Sequence, residues 1–228
     1  MYENLDLINR LKARIHRYRE HILAKKDASS FKSTDKILFL DLGSNLGQGY
    51  NWFKKYYKHL NIKFELFEPN PYCCDELEKI PEVKSGKVKL NNFGVGINSG
   101  SFNLYGLDHN EGGKFAQGGS IVKEHNSDLY EVIENNAIKV NLIDFSNYLA
   151  SISCKFEKII VKMDIEGAEV DLLEHLIKEG TIGHISILYV EFHSQYQILS
   201  QSKITKNREH KILKLLSQRD NLKVRIWH

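Results

Sequence analysis

Short apolar runs alternate along most of the chain with longer segments in which apolar residues recur every three or four positions. The runs have the length of strands and lie at about 36–43, 62–69, 87–96, 158–164, 185–192 and 222–227. The periodic segments predict helices at about 48–59, 74–79, 168–178 and 206–218. Uninterrupted apolar runs are typical of parallel strands buried on both faces beneath crossover helices. We therefore predict a doubly wound α/β fold, with a mostly parallel sheet and helices on both faces.

The N-terminal segment carries a different pattern, a single apolar stripe within a basic stretch. Ile8, Leu11, Ile15, Tyr18 and Ile22 are spaced by three and four, which predicts an amphipathic helix over about 3–25. We expect this helix to dock on the main domain with its basic face in water; the alternatives are a helix that forms a homodimer and one that binds an anionic surface. The polar segment 25–36 predicts a linker, so residues 1–35 form an appendage and residues 36–228 the main domain.

Between residues 94 and 119 the alternation stops and glycine accumulates, with eight of the chain's fifteen glycines. The stretch GINSGSFNLY predicts an inserted β-hairpin with a turn at 98–100. The following HNEGGKFAQGGS has no periodicity, and it predicts either a loop that orders over a ligand or a plain connection. We expect substrate specificity in this loop, with Lys114, Gln117 and Ser120 as candidate contacts.

Composition narrows the class of protein. With 228 residues, 42% of them hydrophobic and 27% charged, the chain suits one generous globular domain. No apolar run approaches the roughly 20 residues of a membrane span. The N-terminus is charged where a signal peptide is apolar, so we expect a cytoplasmic protein. The three cysteines form neither a disulfide framework nor a metal-ligand spacing.

The net charge of +3 is unevenly distributed. Residues 1–36 hold nine Lys or Arg and five Asp or Glu, a net charge of +4, so the other 192 residues sum to −1. A slightly acidic main domain argues against nucleic acid as a substrate or partner.

The first predicted strand ends in a glycine turn, DLGSNLGQG at 41–49. In an open parallel sheet, ligands bind beyond the carboxyl ends of the strands, near such a turn. Gly43 and Gly47 allow a sharp bend and a close approach of the backbone, and the Asp41 carboxylate suits a ligand that presents an ammonium group. The spacing is neither that of a dinucleotide-binding GxGxxG nor that of a P-loop, which disfavours a phosphate ligand.

Further candidate ligand contacts follow at the ends of the next two strands. Glu68 in FEPNP, 21 residues after Gly47, is placed to accept hydrogen bonds from both hydroxyls of a ribose. Asn92 and Phe93 are placed to hydrogen-bond and pack an adenine. A nucleoside that carries an amino acid fits these positions, and that describes S-adenosylmethionine. The predicted cofactor-binding residues are Asp41, Gly43, Ser44, Asn45, Gly47, Glu68, Pro69, Asn92, Phe93 and Asp164.

The densest group of ionisable residues is VKMDIEGAEVD at 161–171. Asp164 ends a central strand and would face the cleft, while Glu166 and Glu169 complement the N-terminus of the next helix. The next strand ends in EFH, and strand alternation places Glu191 and His193 on one side. We predict that Asp164, Glu191 and His193 form the catalytic group beside the methyl group of the cofactor.

His193 is the candidate general base for a hydroxyl acceptor, because an imidazole has a reference pKa of about 6.5. The alternative is a histidine that only hydrogen-bonds within the site. Asp164 with Glu191 or His193 could instead hold a divalent metal ion that lowers the pKa of the hydroxyl. Nothing in the spacing demands an ion, and we do not expect one.

At these residues the chain resembles the FkbM family of S-adenosylmethionine-dependent methyltransferases. The resemblance covers about 36–193 and is carried by FLDLGSNLGQG, FEPNP, NNFGVG with the hairpin after it, the glycine-rich stretch to Ser120, VKMDIEGAE and YVEFH. It implies a class I methyltransferase (Rossmann-like) fold and usually O-methylation of a sugar or another metabolite hydroxyl. Asp41, Gly43, Asn45, Gly47 and Glu68 match the cofactor motifs, and Asp164 and Glu166 match the acidic block.

Two features depart from the family pattern. Ile143 stands where the family commonly has an aspartate, which leaves Asp144 alone, so we assign that segment no catalytic role. Only one strand-like run follows the last helix, whereas the full fold closes its sheet with a hairpin of two strands. Either the last helical region contains a strand or the edge of the sheet is reduced.

The sequence thus predicts an S-adenosylmethionine-dependent methyltransferase that acts on a hydroxyl of a sugar, glycan precursor or related metabolite. The enzymatic alternative is methylation of a nitrogen or a protein side chain. A different class of alternative is a non-catalytic cofactor-binding module whose N-terminal helix docks a partner. The expected partner is a small-molecule or glycan acceptor, and a homodimer through the N-terminal helix is the other association that the pattern allows.

Overall fold

The structure is a computed structural model that describes residues 2–107, 113–115, 118–123, 125 and 137–227, with side chains in the first helix from residue 14 onward except His16. The strands are β1 (Ile37–Leu42), β2 (Ile62–Phe67), β3 (Val88–Asn91), β4 (Gly94–Gly96), β5 (Gly100–Leu104), β6 (Ile138–Asp144), β7 (Lys158–Met163), β8 (Ile187–Val190) and β9 (Lys223–Ile226). The helices are α1 (Tyr2–Ser29), α2 (Gln48–Tyr57), α3 (Pro71–Leu77), α4 (Pro81–Lys84), α5 (Phe145–Ser153), α6 (Glu169–Lys178) and α7 (Leu199–Leu216). Short 3-10 turns lie at Gly113–Phe115, Thr181–His184 and Ser194–Tyr196.

A six-stranded sheet in the order β3-β2-β1-β7-β8-β9 forms the centre of the fold. Every neighbouring pair in it is parallel. Along β1, Leu38, Leu40 and Leu42 pack on one face with residues of α5, α6 and α7, while Ile37 and Phe39 pack on the other face with residues of α2. This alternation follows from the period of two along a strand. The predicted doubly wound α/β fold is therefore confirmed.

A second sheet of three strands, in the order β4-β6-β5, lies after β3 in the chain. The predicted third strand at 87–96 is divided between the two sheets, because β3 ends at Asn91 and β4 begins at Gly94. The two short strands of the predicted hairpin are present, but they do not pair with each other. Instead β6 lies between them, parallel to β4 and antiparallel to β5. The sequence pattern located the strands and could not show that a strand some 40 residues later separates them.

The N-terminal helix α1 differs from the prediction in its length and in its buried face. It continues to Ser29, so the predicted linker at 25–36 begins inside the helix. Ile15, Tyr18 and Ile22 of the predicted docking stripe are 51%, 67% and 49% exposed. The buried face instead contains Ala24, Asp27 and Ala28. Ile8 and Leu11 lie outside the described side chains.

Asp27 explains why α1 docks through this face. Its carboxylate is fully buried and accepts hydrogen bonds from Arg225 Nε (2.9 Å) and Nη2 (2.8 Å) in β9. The Tyr189 hydroxyl in β8 donates a third hydrogen bond, of 3.0 Å. Small alanine side chains beside Asp27 let the helix approach the sheet closely, and the ion pair fixes its position. Apolar periodicity indicates that a helix is amphipathic but cannot show that a buried charge determines which face docks.

The edge of the sheet at β9 has a single strand in place of a hairpin, which is the second of the two alternatives that the sequence left open. The segment before β9 is helical from Leu199 to Leu216, and β9 joins β8 as one parallel strand. Among the helices of the described residues, none is both long enough and apolar enough to cross a bilayer.

Candidate functional site

The carboxyl ends of β1, β2, β7 and β8 meet at one edge of the sheet around a cavity of about 390 Å³. The residues that line it from these strand ends and the loops after them include Gly43, Ser44, Asn45, Glu68, Pro69, Asn70, Asp164, Glu166, Glu191 and His193. The cavity extends to Trp52, Tyr196 and Trp227 on one side and to Leu104, Leu107, Ile121 and Leu142 on the other. A mostly apolar cavity with a few convergent polar groups at this edge of an α/β sheet is a typical ligand site.

The glycine turn after β1 lies close to the end of a neighbouring strand, while the close approach to a ligand that the sequence indicates stays a prediction. Gly43 has a φ of +75°, and a Cβ atom placed on it would lie 1.8 Å from the carbonyl oxygen of Asp164. Gly47 has a φ of +86° and precedes the first turn of α2. Asn45, at φ +45°, is one of the residue types that tolerate this left-handed conformation. The backbone of this turn is thus held directly against the end of β7.

Glu68 is fixed beside this turn by hydrogen bonds to both of its carboxylate oxygens. Oε2 accepts the backbone N–H of Asn45 at 2.7 Å, and Oε1 accepts that of Asn70 at 2.9 Å. Burial raises the pKa of Glu68 to about 7 despite these two donors. The carboxylate lines the cavity with lone pairs that can still accept hydrogen bonds from ligand hydroxyls.

Asp41 does not line the cavity, and its charge is already paired within the protein. It is fully buried below the turn, with Oδ1 3.3 Å from Lys162 Nζ. Lys162 also lies 3.0 Å from Asp164 Oδ2 and donates a hydrogen bond of 3.0 Å to the carbonyl oxygen of Gly43. Burial alone would lower the pKa of Lys162, but the carboxylates of Asp164 and Asp41 outweigh it and raise that pKa. The expected role of Asp41 toward a ligand ammonium group thus has no support in this geometry.

The predicted catalytic residues do converge. Nε2 of His193 lies 3.7 Å from Asp164 Oδ1 and 4.0 Å from Glu191 Oε1, and it is 3.5 Å from Glu166 Oε2. Asp164, Glu191 and His193 each offer one potential ligand atom, and these three atoms lie within 4.8 Å of one another. The predicted convergence of these three side chains therefore agrees with the structure, but Glu191 and His193 lie in the loop after β8, so strand alternation is not its cause.

Glu169 contacts the imidazole of His193 at Nδ1, the ring nitrogen that does not face Asp164. Its Oε1 lies 2.8 Å from His193 Nδ1 and also accepts the backbone N–H groups of Ile165 and Gly167, both at 3.1 Å. The sequence indicated only that Glu169 complements the N-terminus of α6. That position explains its two backbone donors, but the contact with His193 was not predicted. Glu169 is therefore also a positioning residue for the imidazole.

The charges around His193 change its protonation. Burial lowers the pKa of the imidazole, but the hydrogen bond to Glu169 and the nearby carboxylates outweigh burial and raise it to about 10. Burial, followed by the charge of Asp164, raises the pKa of Glu191 to about 7. At neutral pH the imidazole therefore holds its proton, and the Glu191 carboxyl is the group that titrates.

The described parts of the glycine-rich segment contact both ends of the cavity. The Ser120 hydroxyl donates a 2.5 Å hydrogen bond to the carbonyl oxygen of Glu166, and buried His125 places Nε2 3.4 Å from Glu166 Oε2. At the other end, Asn70 Nδ2 donates to the carbonyl oxygen of Lys114 at 2.8 Å. These contacts favour the predicted loop over a ligand site and not a plain connection.

Several predicted site residues are not brought to the cavity. Lys114 does not line it, and its ammonium group lies 5.1 Å from the ring centre of Tyr72. Asn92 and Phe93 do not line it either. The Phe93 ring packs on Phe67 in the core. Gln117 lies outside the described residues.

A family model for the methyltransferase FkbM domain matches residues 41–221. The chain belongs to the FkbM methyltransferase family. The resemblance stated from the motifs is thereby confirmed. A comparison with curated proteins finds no match. Among solved structures, the chain is similar to the crystal structure of methyltransferase FkbM from Methylobacillus flagellatus KT, with 12% sequence identity and a TM-score of 0.45. That likeness covers 81% of this chain and 38% of the other.

Besides the contact of Glu169 with His193, two contacts of this FkbM domain were not predicted from its sequence, those of Lys162 and His125. Lys162 had a detectable signal, since a basic residue inside the apolar run KIIVKMD is unusual and alternation places it on the same side as Asp164. His125 had none, because it lies after an aperiodic segment whose path no local pattern specifies.

Proposed function

We propose that this chain is an S-adenosylmethionine-dependent methyltransferase that methylates a hydroxyl of a sugar, a glycan precursor or a related metabolite. The observation that carries the proposal is the continuity of one cavity, which runs from the Glu68 carboxylate beside the glycine turn to the cluster around His193. The end at Glu68 suits a ribose, and the end at His193 suits an acceptor hydroxyl that must lose a proton. The family match supports methyl transfer, and the chemistry of the second end supports an oxygen acceptor.

The residues at the first end fit the cofactor. Gly43 brings the backbone of the turn against the Asp164 carbonyl oxygen, where any larger residue would collide, and so joins this end of the cavity to the end of β7. Glu68 would accept the ribose hydroxyls, because both of its oxygens are already oriented by backbone donors. The apolar side chains of Val95, Leu104 and Leu142 line the same end and would pack against an adenine in place of the predicted Asn92 and Phe93. When bound, the cofactor supplies an electrophilic methyl group.

The residues at the second end would bind the acceptor and take its proton. Glu191 and His193 line the cavity, and Glu191, with its pKa raised to about 7, can accept a proton near neutral pH. We assign the base role to Glu191 beside His193, in place of the prediction of His193 alone. Trp52 and Trp227 line the cavity on the same side, and indole faces pack well against the C–H face of a sugar ring.

Calorimetry with the full chain tests the cofactor half of this proposal. We expect S-adenosylmethionine to bind and NAD not to bind; the reverse result would contradict the proposal. Glu68→Ala should weaken S-adenosylmethionine binding by at least about tenfold, since a charge-assisted hydrogen bond contributes about 1.5–3 kcal/mol.

Profiling the metabolites that gain a methyl group when the chain is expressed tests the acceptor half. Methylated sugars are the expected products, whereas methylated amines or proteins would support the nitrogen or protein alternative. Cofactor binding without any methylated product would favour the non-catalytic module. The cytoplasmic location stays a prediction.

Homodimerisation through α1 also stays a proposal, supported by the three exposed apolar side chains of the stripe. Light scattering at increasing protein concentration tests it, with Tyr18→Ser expected to shift a dimer toward monomer. Ile204→Ser is the control, because Ile204 is a similarly exposed apolar residue on α7. A monomer at all concentrations would contradict the dimer.

A further inference from the structure

The imidazole of His193 is surrounded by carboxylates to an extent that the proposed base role does not require. Within 4.0 Å of its two nitrogens lie oxygens of Asp164, Glu166, Glu169 and Glu191. Nδ1 is hydrogen-bonded to Glu169, whereas Nε2 faces three carboxylate oxygens at 3.5–4.0 Å, beyond good hydrogen-bond distance. His193 is buried, so a polar ring nitrogen is aimed at a polar space with no close protein partner.

The spacing of these atoms lets them share one cation after small movements. Ligand atoms that bind an octahedral ion at about 2.1 Å lie about 3.0 Å apart when adjacent and about 4.2 Å apart when opposite. The separations from His193 Nε2 to Asp164 Oδ1 and Glu191 Oε1 are 3.7 and 4.0 Å, so at least one of these pairs must close toward the adjacent spacing when an ion binds. We propose that Asp164, Glu191 and His193 bind a divalent metal ion. This revises the expectation from the sequence, which gave such a site as an alternative only.

The groups behind the three ligands orient them as they would for a metal. A metal-binding histidine almost always donates its other ring N–H to a carboxylate or carbonyl, which is the position that Glu169 occupies. Glu169 is itself held by two backbone N–H groups, so the imidazole has one orientation. Asp164 is oriented in the same way, because Oδ2 lies 3.0 Å from Lys162 Nζ while Oδ1 faces His193.

The charge of the site also favours a cation. Three carboxylates, those of Asp164, Glu166 and Glu191, line this end of the cavity, and Lys162 is the neighbouring cation that pairs with one of them. Buried Glu166 Oε2 lies 3.4 Å from His125 Nε2 and 3.5 Å from His193 Nε2, so two imidazoles and Lys162 face these carboxylates. A divalent ion would add positive charge beside Asp164 and Glu191.

The ligand types indicate which ion. Carboxylate oxygens suit Mg²⁺, Ca²⁺ and Mn²⁺, whereas an imidazole nitrogen favours a transition metal over Mg²⁺ or Ca²⁺. Mn²⁺ accepts both, so it is the probe that we choose. This inference rests on the proposed function in one respect: an ion here would lie where the acceptor hydroxyl is expected, and it would lower the pKa of that hydroxyl. Glu191 and His193 would then be ligands and not the base.

Titration of the metal-stripped full chain with Mn²⁺, in the absence of S-adenosylmethionine, tests the proposal. We expect one binding site by calorimetry, and Glu191→Gln should weaken it by at least about tenfold while preserving side-chain shape. Glu169→Gln should weaken it by about 10–100-fold, the usual effect of removing a group that orients a ligand. Asp144→Asn is the matched control, since Asp144 forms an Asp–His contact of 3.2 Å with His175 and no third candidate ligand joins them among the described residues.

A second measurement does not depend on a variant that folds. Pulsed EPR of Mn²⁺ bound to the unaltered chain should show coupling to an imidazole nitrogen, as expected if His193 is a ligand. No Mn²⁺ binding, binding that Glu191→Gln leaves unchanged, or bound Mn²⁺ without nitrogen coupling would each overturn the proposal. Binding of S-adenosylmethionine is measured separately on the same samples. If it persists while Mn²⁺ binding fails, only the metal site is rejected and the proposed methyl transfer stands.

Discussion

Lys162 Nζ lies 3.0 Å from Asp164 Oδ2 at the centre of the candidate site, on the central strand β7. The same ammonium group lies 3.3 Å from Asp41 on the neighbouring strand β1 and donates a hydrogen bond to the Gly43 carbonyl oxygen. One buried cation therefore joins the ends of the two strands that carry the glycine turn and the acidic block. This contact links the cofactor end of the cavity to its reactive end.

Replacing Lys162 by methionine should destabilise the fold strongly, because Asp41 would remain buried without its cation. Loss of one partner of a buried ion pair costs about 3–5 kcal/mol. The second change Asp41→Asn removes the buried carboxylate that has lost its cation. The double variant should therefore recover a large part of the lost free energy of unfolding. Urea unfolding of the two single variants and the double variant measures the effect. Strictly additive losses would contradict a direct interaction between Lys162 and Asp41.

Substitution by alanine should cost more stability at Gly43 than at a glycine that has the same left-handed backbone but free space around its Cα. In Gly43→Ala the new methyl group would start 1.8 Å from the Asp164 carbonyl oxygen, so the turn or β7 must move. Gly86→Ala is the control, since Gly86 has a φ of +72° and no atom within 4 Å of the added Cβ. The control should lose about 1–2 kcal/mol for its left-handed conformation. We expect a clearly larger loss of stability at Gly43, measured by urea unfolding, together with weaker S-adenosylmethionine binding; equal losses at the two positions would disprove the close approach.

The part of the site that the sequence predicted is the part that local pattern determines. A strand followed by a glycine turn places Gly43 beside the next strand end, and Glu191 and His193 closely follow the end of another strand. Glu68 was predictable for the same reason, because it directly follows a strand. These inferences need only the positions of the strands and the rule that parallel strands end at a common edge.

The remaining features depend on contacts between distant segments, which local pattern cannot show. His125 reaches Glu166 from an aperiodic segment, and β6 separates two strands that the turn at 98–100 seemed to pair. Phe93 was predicted to pack against an adenine, but its ring packs against Phe67 in the core. The docking face of α1 was missed because a buried Asp27 overrides the apolar stripe.

Asp27 should contribute strongly to stability although it lies in the segment predicted as a linker. Asp27→Ala leaves the Arg225 guanidinium without its bidentate partner and removes the hydrogen bond that the Tyr189 hydroxyl donates to Asp27. We expect a loss of about 3–5 kcal/mol in the free energy of unfolding, as for other buried ion pairs that lose one member. Asp75→Ala, at an exposed aspartate of α3, should change stability by no more than about 0.5 kcal/mol. A loss at Asp27 as small as that at Asp75 would show that α1 is not anchored by this contact.

Glu68 should make the ligand-free chain less stable as pH rises toward neutrality. Its pKa is raised to about 7 by burial, so between the unfolded value of about 4.3 and that folded value the native state binds more protons than the unfolded state. The free energy of unfolding therefore falls with rising pH across this window, by at most about 1.4 kcal/mol per pH unit from this group. Outside the window the two states bind equal numbers of protons and the contribution is constant.

Glu68→Gln removes the titrating group and should therefore flatten this part of the stability profile. An amide has one acceptor oxygen, so it cannot serve both the Asn45 and the Asn70 N–H, and the variant is expected to be less stable at low pH. The decisive quantity is thus the difference in unfolding free energy between pH 5 and pH 7.5, obtained by urea denaturation of each protein. Glu78→Gln, at an exposed glutamate after α3, should keep the wild-type difference. If Glu68→Gln also keeps it, Glu68 is ionised in the folded chain throughout this range, and its carboxylate does not carry the burial penalty inferred from its position.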